Sequence, residues 1–496
     1  MADSHHSHLE DVHAEVDERE RPGPHLKANS LGVAALLFFV LSAQAPLTGI
    51  AGASPIAIAT GNGTGAPGAY LVAGLIIALF AVGYITMSRH VVSAGAFYAY
   101  VGQGLGRPVG SGAALVALLG YGTIQAAMYG LYGVIVSGLF AQVGLELPWW
   151  VWALLTMALV QALGVLDIDV GGRVLAVLVI AETSILVVFD LAVLFTGGGP
   201  EGLAPAASFS PAQILSGAPG IALMFAIASM FGFEATAIYA EEAKNPERTV
   251  PRATYLSVAT ITGFFALTTW MFIAYYGPSQ AVGEAGAALE SGDSAAFVFN
   301  AIAAKLGDWT LIVLPILLAS SLLAGVLAFH NSINRYLFSL SRDGLLPPAV
   351  DRTNRHGAPW VASVIQTISA VLLVLPFALA GADPVLTLFS WFSGSAVLCV
   401  MVLYVLTSIS VMVYFRRTRT DTRPWQTLIA PALATLAILG IVWLILANFT
   451  TLLGGSGTAA VVLAVSIPVA FLIGVILWAA TGRQRAAASA GAASRR

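Results

Sequence analysis

The sequence predicts an all-α integral membrane protein with twelve transmembrane helices, an inverted five-plus-five core followed by two further helices. Three observations predict it. Hydrophobic residues make up 58% of the 496 residues and charged residues only 9%, against roughly a quarter charged in a soluble protein. From Ala28 to Ser88 there is no Asp, Glu, Lys or Arg, enough for two crossings at about 20 residues each. Finally, of 22 Lys and Arg residues only Lys305 falls in a gap of the other parity. Positively charged loops stay in the cytoplasm, so the number of spans is even and both termini lie inside.

The elements follow in order. Residues 1–29 are polar, mixed in charge and carry His5, His6, His8, His13 and His25. They read as a disordered cytoplasmic tail rather than a metal site, and they hold no apolar stretch of the signal-peptide kind. The first repeat, 30–200, holds spans near 31–60, 68–88, 108–141, 148–166 and 172–196; the second, 201–415, holds spans near 217–240, 251–276, 309–340, 360–380 and 384–415. Spans near 426–448 and 459–480 fill 416–482, and 483–496 is a second cytoplasmic tail. The acidic loop from Ser279 to Asp308 is expected to pack over the outer surface. Cys399 is the single cysteine, which excludes a disulfide framework. A net charge of −3 argues against a nucleic-acid partner.

Two spans are interrupted at matching places. The first contains Gln44, Ala45, Pro46, Leu47, Thr48 and Gly49, then Gly52 and Pro55; the sixth contains Ser229, Met230, Phe231, Gly232, Phe233 and Glu234. Each opens a block of five spans, and because five is odd the second block runs inverted. Unwinding a helix in hydrocarbon frees backbone N–H and C=O groups that lipid cannot satisfy. Such breaks in both halves of a membrane protein point to a transported ligand. Amides at the restarting helix suit an anion, and carbonyls before the break suit a cation. An α-amino acid carries both charges. The alternative is that Pro46 and Gly232 only kink packed helices. Residues 44–49 and 229–232 are therefore the candidate substrate contacts.

Four stretches resemble the amino acid–polyamine–organocation (APC) superfamily of permeases. They are Val92–Tyr100, Phe231–Glu234 with Glu241–Ala253 after it, Asn334–Pro347, and the Pro/Gly break of the first span. The likeness runs over roughly residues 30–480. It implies an inverted five-plus-five core, substrate held at the two breaks, and frequent proton coupling. Relatives carry a Gly-x-Gly break in the first span; here the stretch reads Ala45-Pro46-Leu47-Thr48-Gly49, so the register of the amides departs from the pattern.

Charge inside a membrane is expensive and marks function. Glu182 lies nine residues beyond Arg173, about 13 Å along a helix, near the midplane. A buried carboxyl group that gains and loses a proton can couple transport to a proton gradient. In many relatives a lysine occupies this part of the fifth span, so the sign is reversed here. Glu234 can cap amides opened by the unwinding, or meet a substrate amine. Asp190 sits toward the outer end, and His330 suits a helix-to-helix hydrogen bond. Gln125 and Tyr129 share a face with Tyr121 and Tyr132; that face lines the cavity or glues helices together. Ser320 and Ser321 could serve sodium. Glu241, Arg248, Arg335 and Arg342 form a structural or gating set, with Thr249 capping the seventh span and Pro251 in its first turn.

An enzyme is disfavoured: Gly454-Gly455-Ser456-Gly457 lies in an external turn, away from His330 at the inner end. A channel would need a filter loop or charged ring. The expectation is a secondary transporter of a neutral amino acid or related amine, coupled to a proton, with no cofactor or metal, in a bacterial inner membrane. Sodium symport, exchange, polyamine transport and a transporter-derived nutrient sensor are the alternatives.

Overall fold

The structure, a computed structural model, describes residues 32–91, 96–166, 172–234, 236, 243–355 and 357–493. Those residues are almost wholly helical, with a single isolated β-bridge between Gly199 and Gly202. Ten helices among them are long and apolar enough to cross a membrane. Glu241 lies outside the described residues, as do the tail histidines and residues 92–95 of the Val92–Tyr100 stretch.

Helix α1 (Val33–Gln44) stops before Ala45, which adopts a left-handed φ of 47°. The chain restarts at Pro46 as α2 (46–62), whose first turn needs no amide partner at its proline. A left-handed conformation costs a non-glycine residue about 1–2 kcal/mol, so the packing around Ala45 holds it there. Helix α3 (Ala66–Ser88) follows, then α4 (Ala96–Leu105), α5 (Arg107–Ala141), α6 (Trp149–Leu166) and α7 (Gly172–Phe195). Helix α8 (Pro219–Ala228) ends in turns over 229–234, where Gly232 has φ 106°. A side chain at Gly232 would strain that turn, which explains the glycine there.

Helix α9 (Pro246–Tyr276) begins earlier than the sequence led us to expect. Asn245 turns left-handed at φ 48° and Pro246 takes the first helical position, so Thr249 and Pro251 both lie inside the helix. The reason is that Pro246, pre-set at a helical φ, starts the helix by itself. Thr249 then hydrogen-bonds back to the Lys244 carbonyl. The acidic outer loop folds as α10 (Pro278–Glu290) and α11 (Ala296–Leu306), which pack against α2. Helices α12 (Thr310–Arg342), α13 (Trp360–Leu379), α14 (384–418), α15 (Trp425–Leu452) and α16 (Gly457–Ala493) complete the chain.

Helix α5 sits centrally, against α4, α6, α12, α13, α14 and α16. Polar side chains stitch four of these helices together. Gln125 of α5 donates to the Val326 carbonyl of α12 at 2.8 Å and accepts from Gln366 of α13. His330 of α12 bonds Ser363 of α13 at 2.9 Å; Ser363 and Thr367 both donate to Gln161 of α6, at 2.9 and 2.5 Å. Gln161→Leu orphans two hydroxyl donors in this network. Interhelical hydrogen bonds in membranes average about 0.6 kcal/mol, so the expected loss is about 1–2 kcal/mol, read as a lower melting temperature of the detergent-solubilised protein.

Candidate functional site

The interrupted segments meet. Gln44 Nε2 donates to the Met230 carbonyl at 3.3 Å, tying the end of α1 to the turn after α8. Beside this contact is a cavity of about 60 Å³, where one water needs roughly 10–15 Å³. Gln44, Ala45, Thr48 and Gly49 form one wall, and Ala228, Ser229 and Phe231 the facing wall. Ile124 and Met128 of α5, Phe225 of α8, Phe329 of α12, and Phe389 and Ser393 of α14 close it, with Ala53. Among the described residues no ionisable side chain lines it.

Three buried polar atoms in these walls have no hydrogen-bond partner among the described residues: Gln44 Oε1, Thr48 Oγ1 and Ser393 Oγ. Buried polar groups are normally paired, so three orphans around one cavity suit a polar ligand. Ser229, by contrast, donates to the Phe225 carbonyl at 2.9 Å.

The other candidates fall elsewhere. Pro46, Leu47, Met230 and Gly232 belong to the two breaks but do not line the cavity. Gln125 is spent in the network of α5, α12 and α13, and Tyr129 is buried in the apolar core. The cavity face of α5 is one residue earlier, at Ile124 and Met128. Sequence reasoning missed these two, and also Phe329, Phe389 and Ser393. The cluster Ser390, Ser393, Ser395 within an apolar span was the available signal for α14.

Glu234 accepts from the Gly232 amide at 3.0 Å, and its own carbonyl accepts from the Tyr84 hydroxyl at 3.3 Å. It thus holds the turn and stays off the cavity. Glu182 is buried on α7 beneath the first break. Ser321 of α12 donates to its Oε1 at 3.2 Å, the Leu47 backbone amide lies beside the carboxyl group, and Oε2 has no hydrogen-bond partner among the described residues. No cationic side chain pairs with it among the described residues. Ser320 bonds its own helix, to the Leu317 carbonyl. Asp190, farther along α7, accepts from Thr268 of α9 at 2.6 Å.

Arg248, Arg335 and Arg342 are exposed at span ends, and the Arg342 guanidinium stands 5.8 Å from the Phe338 ring. Nearby, the Tyr98 hydroxyl bonds both Ser339 and Asp343 at 2.9 Å, tying α4 to the end of α12.

Comparison with known proteins agrees with this architecture. The aromatic amino acid transport protein AroP of Escherichia coli K12 is 26% identical over 240 residues, 46% of this chain and 50% of AroP. The chain therefore spans half the length of that relative. The branched-chain amino acid permease BcaP of Lactococcus lactis is 24% identical over 341 residues, 64% of this chain and 70% of BcaP. Among solved structures, MhsT in complex with L-phenylalanine superposes with a TM-score of 0.56 at 16% identity, covering 85% of this chain and all of MhsT. The relatives are transporters and not enzymes, and the many apolar helices make this a multi-pass membrane protein. The amino acid permease family model matches residues 31–480, and the chain belongs to that family.

Proposed function

We propose that this protein is a proton-coupled symporter for neutral amino acids with apolar side chains, with both termini in the cytoplasm of a bacterial cell. The observation that carries the reading is the cavity between the two breaks, polar at Gln44, Thr48 and Ser393 and apolar elsewhere. Its lack of charged walls disfavours polyamines and cationic amino acids, whose extra charge would stay buried and unpaired. The names of the relatives, aromatic and branched-chain, and the phenylalanine bound to MhsT point the same way.

The substrate's charged α-groups sit against the backbone of the two breaks, and its side chain lies among Ile124, Met128, Phe225 and Phe389. In this reading the described ends of α1, α2 and α8 belong to spans one and six of a twelve-span, inverted-repeat chain. Coupling runs through adjacent peptide units: the Leu47 amide faces Glu182, and Thr48, next along the chain, lines the cavity. A change in the charge of Glu182 alters the pull on that amide and so the shape of the cavity wall. Rocking of one bundle about the breaks then exposes the cavity to each side in turn.

Calorimetric binding on the purified protein tests the site. Phenylalanine, leucine or isoleucine should bind, while lysine and spermidine should not. Thr48→Val should weaken binding about fivefold, one hydrogen bond of roughly 1 kcal/mol, without lowering the melting temperature of the substrate-free protein. A purely structural hydroxyl would give the reverse: lost stability and unchanged affinity.

A further inference from the structure

A second cavity, of about 200 Å³, opens at one end of α3 and shares no lining residue with the site between the breaks. Helix α3 supplies its floor through Val82, Ile85 and Thr86, with Arg89 at the rim. Pro251 and Tyr255 of α9 make one wall, and Arg423, Trp425 and Gln426 at the start of α15 make the other. Trp425 and Tyr255 are exposed, in the position where aromatic side chains mark a membrane–water boundary. Leu256, next in sequence to Tyr255, and Leu428, two residues beyond Gln426, are also exposed.

The charges are arranged for an anion. Arg89 is exposed and makes no ion pair among the described residues. Arg423 engages Asp421 through Nε, at 3.0 and 3.2 Å, and Nη2, at 2.5 Å. A guanidinium has five N–H donors, so others remain for a second partner. Hydrogen bonds from Arg423 hold the Asp421 carboxyl down to about 2, so it is negatively charged at neutral pH. Arg89, Arg423 and Asp421 together leave one net positive charge. The first turn of α15, which opens at Trp425, adds the positive end of a helix dipole.

We propose that this groove is a binding site for an anionic phospholipid, its phosphate held between Arg89 and Arg423. Trp425 and Tyr255 flank the headgroup, and the acyl chains lie along Leu256 and Leu428. The site stands apart from the proposed substrate and coupling ion, and holds whether or not those assignments do.

Native mass spectrometry of the full-length protein, titrated with dioleoyl phosphatidylglycerol or dioleoyl phosphatidylcholine, tests it. Wild type should retain one phosphatidylglycerol in preference to phosphatidylcholine. Arg89→Gln should weaken that retention about fivefold, the worth of one basic residue at an anionic surface. Arg89→Lys should restore most of it, and Arg352→Gln, in a loop outside the groove, should change nothing. Equal retention by Arg89→Gln and wild type would overturn the proposal, as would equal retention of the two lipids. Displacement of the lipid by millimolar inorganic phosphate would also overturn it, marking a site for a water-soluble anion.

Discussion

Glu182→Gln will abolish gradient-driven accumulation while leaving substrate binding within a few-fold of wild type. The carboxyl group is buried, receives one hydrogen bond from Ser321 and has no cationic partner among the described residues. An ionised carboxylate in such a place is costly, so its negative charge is balanced by a proton or a bound cation whenever the site is closed to water. Glutamine keeps the size and the hydrogen bond but cannot exchange a proton. With one proton per substrate, a pH difference of one unit sustains about tenfold accumulation, from about 1.4 kcal/mol. The variant in proteoliposomes should reach only equilibrium, yet still exchange labelled for unlabelled substrate. Undiminished accumulation would remove Glu182 from the coupling mechanism.

Gly49→Val will cost most of the substrate affinity by wedging the two breaks apart. A Cβ at this position would lie 2.5 and 2.7 Å from Phe265 ring carbons and 3.1 Å from Ser229 Oγ. Phe265 cannot swing aside readily, because it is buried and stacked on Tyr70, with centroids 5.4 Å apart. The backbone of α2 must therefore shift away from the end of α8. Overpacking of this kind costs about 1–3 kcal/mol in stability. Losing two polar substrate contacts at roughly 1 kcal/mol each would weaken binding about thirtyfold. Titration calorimetry and thermal unfolding of the same sample separate the two effects. Wild-type affinity in a destabilised variant would place the substrate somewhere other than between the breaks.

The helical, membrane-crossing character was legible because length and hydropathy determine it locally. Local irregularity was legible where proline and glycine fall inside an apolar run, as at the left-handed Ala45 before Pro46 and the positive φ of Gly232. Less legible was how each break is held. Alanine does not favour a left-handed conformation, and the chain nevertheless adopts a left-handed turn at Ala45. Tertiary packing, which no local pattern encodes, enforces it. The polar face of α5 illustrates a second limit. Gln125 and Tyr129 share one face, but in an apolar solvent a polar side chain gains as much from a neighbouring helix as from a ligand. Gln125 found Val326 and Gln366, and the residues facing the cavity are Ile124 and Met128. Nothing in a run of apolar residues distinguishes a cavity wall from core, which is why Phe329 and Phe389 went unnoticed. Glu182 was identifiable as an acid midway along an apolar span; that its neighbours are Ser321 and the Leu47 amide depends on how α7, α12 and α2 pack.

The most direct measurement is uptake of labelled neutral amino acids into proteoliposomes of the purified protein, with an inward proton gradient and no sodium. Proton-coupled symport predicts that an aromatic or branched-chain amino acid accumulates above equilibrium and that a protonophore collapses the accumulation. Accumulation that requires sodium and ignores the protonophore, or none across the whole panel, would contradict it.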